Sequence, residues 1–153
     1  MGREKQTRKL RFPGGFLAIP HCVSNSIRYR RLSAISVKLL IDIGNQYNGK
    51  NNGDLCATWS LMRPRGWKSE DTLNRAKREL LQAGFIAETR KGRRPNLCSL
   101  YGLTWFELNP SIKFDIGPSG FPYGAWSKAE EIQVVPEVKN KNATTLFAVK
   151  NAA

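Results

Sequence analysis

Hydrophobic and polar positions recur with two different periods along this chain, and the changes of period mark its elements. Over residues 33–47 (SAISVKLLIDIGNQY), Val37, Leu40, Ile41 and, less regularly, Tyr47 follow helical spacing behind Ser33, a good N-cap residue. Residues 68–85 (KSEDTLNRAKRELLQAGF) predict the strongest helix. Ser69 is placed to cap it, Glu70 and Asp71 load the first turn, and Gly84 stands at the C-cap. On a helical wheel Leu73, Ala76, Leu80 and Gly84 fall within about 80°, with Leu81 at the flank. The opposite face carries Asp71, Arg75, Arg78 and Gln82, with Lys68 just ahead of it. Lys77 falls near the apolar side, where its stem must lie on the core and its ammonium group reach for water. The period then shortens. Residues 85–89 and 97–105 are rich in aromatic and β-forming side chains around a Gly/Pro/Asn turn, which predicts a β-hairpin.

The shorter stretches are read by their punctuation. FLAIP, residues 16–20, reads as a short strand or a packing segment, and residues 24–31 (SNSIRYRR) as a short helical turn carrying Arg28, Arg30 and Arg31. NGKNNG ends the first long helix, and DLCAT, residues 54–58, follows as a brief extended piece. WSLMRPRGW is helix-like up to Pro64 and is broken by Gly66. Three regions result: a mobile basic arm at 1–15, one folded domain at 16–108, and a tail at 109–153. The tail is too rich in Pro and Gly for a long helix and reads as extended, partly packed and partly disordered.

Charge then narrows the range of partners. The chain has 153 residues, 41% of them hydrophobic, which is enough for one core plus extensions. Its 25 Lys and Arg against 12 Asp and Glu give a net charge of +13. Residues 1–105 hold 20 of those cations and 7 of the acids, whereas residues 106–153 hold 5 of each. A basic body with a neutral tail favours polyanions and points to nucleic acid. No apolar run reaches the ~20 residues of a membrane span. The first residues lack the apolar core of a secretory signal and the Ser or Thr of a myristoylation motif. A cytoplasmic, nucleoid-associated protein is expected. Cys22, Cys56 and Cys98, odd in number and far apart, read as buried small hydrophobes in a reducing compartment. They make no metal knuckle with His21, the sole histidine, so neither metal nor cofactor is expected.

Helix, turn, short strand, short helix, tight turn, capped helix and a hairpin with a charged tip form a recognisable order. With its core TWSLMRPRGWKSEDTLNRAKRELLQAGFIAE and hairpin tip TRKGRRPN, the stretch from residue 33 to 105 resembles the winged helix-turn-helix family of DNA-binding proteins. Including FLAIP and YNGKNNGDL, it is similar to small winged-helix proteins of phages, prophages and plasmids, some close to replication initiators and others to regulators. The resemblance covers about half the chain and leaves the tail unexplained. It implies an α+β fold, a three-helix core plus a β-hairpin wing, that binds double-stranded DNA as a transcription regulator or replication-associated factor of a mobile element.

The resemblance further implies that helix 69–83 enters the major groove. Arg75 and Arg78, three apart on one face, would reach guanine edges, and Asn74 or Gln82 would read adenine or hold water. Lys68 and Ser69 would face phosphate at the helix start, beside Thr72. Asp71 sits awkwardly near phosphate, and orienting Arg75 through an i,i+4 pair is its expected role. Arg90, Lys91, Arg93 and Arg94 would reach backbone or minor groove from the wing, with Gly92 permitting the turn and the tip mobile without a polyanion. Arg3, Lys5, Arg8, Lys9 and Arg11 would add weaker contacts from the arm. GRRP is also similar to the Arg-Gly-Arg-Pro of AT-hook peptides with its first two residues transposed, which leaves an A·T preference open.

Other classes make different demands. A single-strand or RNA binder would need exposed aromatics, for which Trp59, Trp67, Trp105, Tyr29 and Tyr47 are candidates, although such positions more often serve a core. A protein-binding adaptor would present Phe114, Phe121, Tyr123 and Trp126 on the tail as a docking peptide. An enzyme is the weakest reading: His21 belongs to no triad, no phosphate-cradling loop carries its Lys, and the carboxylates are too scattered for a two-metal site. No long amphipathic helix offers a dimer interface, so a monomer or weak homodimer is expected.

Overall fold

Eight short regular elements follow one another in the structure, a computed structural model that describes residues 13–128. They are α1 (His21–Ser24), α2 (Ile27–Arg31), α3 (Ala34–Gly44), β1 (Leu55–Cys56), α4 (Trp59–Met62), α5 (Glu70–Gln82), β2 (Ile86–Arg90) and β3 (Leu100–Leu103), with 3₁₀ turns at Arg63–Arg65, Pro118–Gly120 and Ala125–Ser127. The architecture is α+β. Arg3, Lys5, Arg8, Lys9 and Arg11 of the expected arm lie outside the described residues, as do residues 129–153.

Local chemistry sets the ends of the two long helices. Ser33 Oγ accepts from the Ser36 N–H ahead of α3, and Ser69 Oγ accepts from the Thr72 N–H ahead of α5. α5 ends where Gly84 takes a φ of +79°, a left-handed conformation that carries the chain directly into β2. A Cβ there would also lie 2.8 Å from the backbone carbonyl of Ala125, so conformation and space both exclude a side chain.

The two helices lock onto one another through Glu79 of α5. Its carboxylate accepts from the Ser33 N–H at 2.7 Å, the Ser33 hydroxyl at 2.6 Å and the Ser36 hydroxyl at 2.7 Å. A negative charge is thereby fixed at the positive end of α3. Burial works to raise the Glu79 pKa, but these hydrogen bonds outweigh it and hold it below the ordinary carboxylate value.

The sheet is antiparallel throughout, in the order β1-β3-β2. Leu55 lies opposite Tyr101 and Cys56 opposite Leu100 on one side of β3. On the other, Ile86 pairs with Leu103, Ala87 with Gly102 and Glu88 with Tyr101, and a bulge follows before Arg90 meets Leu100. All four β3 residues are buried. The main core joins Leu39, Leu40 and Ile43 of α3 with Leu73, Ala76 and Leu80 of α5, together with Leu55, Met62, Phe85 and Leu103. A second, smaller cluster holds Ala87, Leu108 and Phe121, with Phe114 and Ile116 against it.

Several elements depart from their sequence reading. FLAIP forms no strand: Leu17 and Ile19 pack on the main core, and the Ala18 carbonyl accepts from Trp105 Nε1 at 3.2 Å. The turn expected at 24–31 is present as α2, capped by Ser26, and the sequence reading did not foresee the short helix α1 ahead of it. α3 stops at Gly44 and buries Ser36, Leu39, Leu40 and Ile43, leaving Val37 and Ile41 half-exposed. Its text is apolar almost all round, so no polar stripe fixes its orientation; α5 and Glu79 do. Residues 109–128 lie against the body, where the Asp115 N–H donates to the Thr89 carbonyl and the Gly124 N–H to that of Thr104.

Candidate nucleic-acid interface

With Leu73, Ala76 and Leu80 committed to the core, α5 turns Asn74, Arg75, Arg78 and Gln82 to solvent, and Lys68 and Ser69 are exposed ahead of it. Thr72 is half-buried beside them. Arg75 lies along the helix: its Nε is 3.1 Å from Asp71 Oδ2, and Nη2 reaches Thr72 Oγ1 at 3.5 Å. Both partners of the Asp71–Arg75 pair are largely exposed, so the contact orients the guanidinium more than it stabilises the helix. Lys77 is half-buried, as its place on the wheel required. Burial pushes its ammonium pKa down, with Glu70 and Glu88 opposing.

The approach to this helix is held by a group that the sequence reading missed. Asp42, buried on α3, accepts from Lys38 Nζ at 2.6 Å, Arg65 Nε at 2.9 Å and Trp67 Nε1 at 2.8 Å. Lys38 also donates to the Arg65 carbonyl at 3.0 Å and sits 5.1 Å from the centre of the Trp67 ring. Burial works to raise the Asp42 pKa; the hydrogen bonds from Lys38, Trp67 and Arg65, with the Lys38 charge, prevail and lower it. The effect is mechanical. One carboxylate ties α3 to the Arg63–Arg65 turn and to Trp67, two residues before the Ser69 cap, and so fixes where α5 begins. The one local signal in the sequence was an i,i+4 Lys38–Asp42 pair on an otherwise apolar helix.

The hairpin tip divides its cations into two kinds. Arg90, expected to reach outward, here turns back: Nε and Nη2 donate to the Cys98 carbonyl at 3.2 and 2.9 Å, clamping the two limbs of the loop. A guanidinium at the end of a strand meets the opposite limb before it meets solvent. Lys91, Arg93 and Arg94 have exposed side chains. The Lys91 N–H donates to Asp115 Oδ2 at 2.8 Å, which anchors the loop to the following segment. Arg93 and Leu97 exchange backbone hydrogen bonds of 2.8 and 2.9 Å, which close the tip of the loop. Gly92 also has another role than the expected one. A Cβ there would meet the Ser99 nitrogen at 2.8 Å, so the residue permits close approach of the two limbs.

The aromatic side chains are engaged elsewhere. Trp67 and Trp105 are buried, and Trp59, Tyr29 and Tyr47 pack on the main core. Tyr29 meets Phe85 edge-on and Tyr47 stacks on Phe106. Of the tail aromatics named as a docking peptide, Phe121 is buried, Phe114 and Trp126 pack inward, and Tyr123 is exposed. Arg28 joins this inward packing, donating to the carbonyls of Ala83 and Ala125 and so linking α2, the end of α5 and the tail segment. Cys22 is exposed rather than buried. Cys56 and Cys98, read as buried small hydrophobes, are partly exposed and face each other with Sγ atoms 3.1 Å apart.

Among the described residues, no group of three or more His, Cys, Asp or Glu is placed to hold a metal ion, and no helix is long and apolar enough to cross a membrane. No family model, no curated protein and no solved structure matches the chain.

Proposed function

We propose that this protein is a winged-helix binder of double-stranded DNA, with α5 as its recognition helix and the β2–β3 hairpin as its wing. One observation carries the reading. A helix anchored through Leu73, Ala76 and Leu80 presents Asn74, Arg75, Arg78 and Gln82 to solvent and runs directly into a hairpin whose tip exposes Lys91, Arg93 and Arg94. Arginines held on a rigid helix suit guanine edges in a major groove about 12 Å wide. Loop cations suit phosphate, which gives affinity without sequence preference. Asp71 holds Arg75 in one direction, which lowers the ordering cost of a base contact.

Arg63 and Arg65 extend the basic surface ahead of Lys68 on the turn that Asp42 secures. The packed aromatics favour duplex over single-stranded nucleic acid, because stacking requires free ring faces. The inward turn of Phe114, Phe121 and Trp126 removes most of the docking peptide an adaptor would use. A regulatory or replication-associated role in a mobile element follows from the family resemblance of residues 33–105.

The test is duplex affinity against salt. Six to ten phosphate contacts lower affinity by roughly 10³–10⁵ between 50 and 200 mM salt. Arg93→Ala and Arg94→Ala weaken binding to every duplex alike and flatten that slope. Affinity indifferent to salt, or single strands outcompeting duplex, would overturn the proposal.

A further inference from the structure

Cys56 and Cys98 are 42 residues apart in sequence, and their Sγ atoms are 3.1 Å apart in the fold. Cys56 lies on β1 and Cys98 on the returning limb of the hairpin, two residues before β3. Two independent anchors hold them there. The Gln46 side chain brackets the Cys56 backbone, Oε1 accepting from its N–H at 2.9 Å and Nε2 donating to its carbonyl at 2.7 Å. Arg90 clamps the Cys98 carbonyl and lies 3.7 Å from its sulfur. Neither backbone therefore has to be ordered for the thiols to meet. The sulfurs need approach by only about 1 Å to reach the ~2.05 Å of a disulfide, a movement within the range of side-chain rotation. Both residues are partly exposed, which admits a small oxidant.

We infer that Cys56 and Cys98 form a reversible intramolecular disulfide site, closed by a hydroperoxide and opened by a dithiol. A hydroperoxide oxygen is transferred to one sulfur, giving a sulfenic acid and, from hydrogen peroxide, one water. The second thiol attacks that sulfur, the S–S bond forms, and the hydroxyl leaves as a second water. The two sulfurs together lose two electrons and the peroxide gains them. Burial, with Cys98 beside it, pushes the Cys56 thiol up to about 12, so near neutral pH Cys56 is held as the slowly reacting thiol. The closed bond fastens β1 to the returning limb of the hairpin just ahead of β3, the strand β1 pairs with. This inference rests on the pair's own geometry and stands apart from the DNA-binding proposal.

The experiment uses the full chain with Cys22→Ser, which removes the exposed thiol and leaves one possible pair. After hydrogen peroxide treatment under native conditions, the expected product is a monomer 2 Da lighter, with no free thiol and a Cys56–Cys98 peptide in a non-reducing digest. Dithiothreitol restores both thiols. Closing a loop of this length raises the thermal midpoint by roughly 10 °C in the oxidised form. Parallel samples of Cys56→Ser and Cys98→Ser, each also carrying Cys22→Ser, show neither the mass loss nor the shift. Two free thiols persisting in the folded protein, sulfinic acid at either residue without a cross-link, or a disulfide that forms only after denaturation would each overturn the assignment.

Discussion

Asp42 is one charge shared among donors from three places, and its replacement is correspondingly costly. Asp42→Asn keeps the size of the side chain but removes the ionised acceptor from Lys38, Arg65 and Trp67 Nε1. We expect an unfolding free energy lower by about 2 kcal/mol in urea titration, mostly from the buried indole N–H and the weakened charge-assisted bonds. Asp42 and Glu79 also set the acid limit of the fold. Both carboxyls have pKa values lowered in the folded state. Their contribution is therefore fully present above the ordinary carboxylate range and disappears as pH falls through the folded values. The urea midpoint stays level from neutral pH to about 5 and falls below it, less steeply in Asp42→Asn and Glu79→Gln. Among single residues, the Asp71–Arg75 pair was legible because its partners are four apart on one helix. The Asp42 cluster and the Cys56–Cys98 contact were not. Apart from Lys38, their partners come together from 23 to 42 residues away, and no local pattern encodes which distant side chain a folded chain brings near.

Elements with strong local signals came through the sequence well. α5 shows its cap, its first-turn acids and its apolar stripe in one continuous stretch, and the hairpin follows in antiparallel register. Where the text is apolar all round, as in α3, spacing finds the helix but misplaces its buried face, since tertiary contacts then decide the rotation. FLAIP was ambiguous for the same reason: five residues with no period can pack as readily as pair. The junction of α5 and β2 gives a test at this scale. Gly84→Ala places a side chain at a φ of +79° and against the Ala125 carbonyl, so it carries both backbone strain and a clash. It should destabilise the fold by about 2 kcal/mol or more, read as a lower thermal midpoint. An unchanged midpoint would mean that neither the left-handed turn nor the contact with residue 125 constrains the helix end.

For the molecule as a whole, the described part of the neutral stretch, residues 109–128, packs on the body where composition suggested an appendage. Phe121 lies against Ala87 and Leu108, and Arg28 joins Ala83 to Ala125, so residues 109–128 cover a sheet that would otherwise be open on that side. Pro- and Gly-rich text hides such packing, because it has no period and its contacts are made one residue at a time. Phe121→Ala should cost about 3 kcal/mol, measured by denaturant unfolding, whereas a detached tail would tolerate it without change. Among the described residues, cations of the basic body lie exposed on α5, on the turn that leads into it, and at the hairpin tip. Under the proposed DNA-binding function, sequence reading would fall to the helix and general affinity to the loop. Selection of bound sites from a random duplex pool tests it most directly, with the native protein and an Arg75→Ala/Arg78→Ala variant run side by side. The native protein should yield a defined motif that the variant loses while still retaining salt-dependent binding. Recovery of the same motif by both proteins would contradict it.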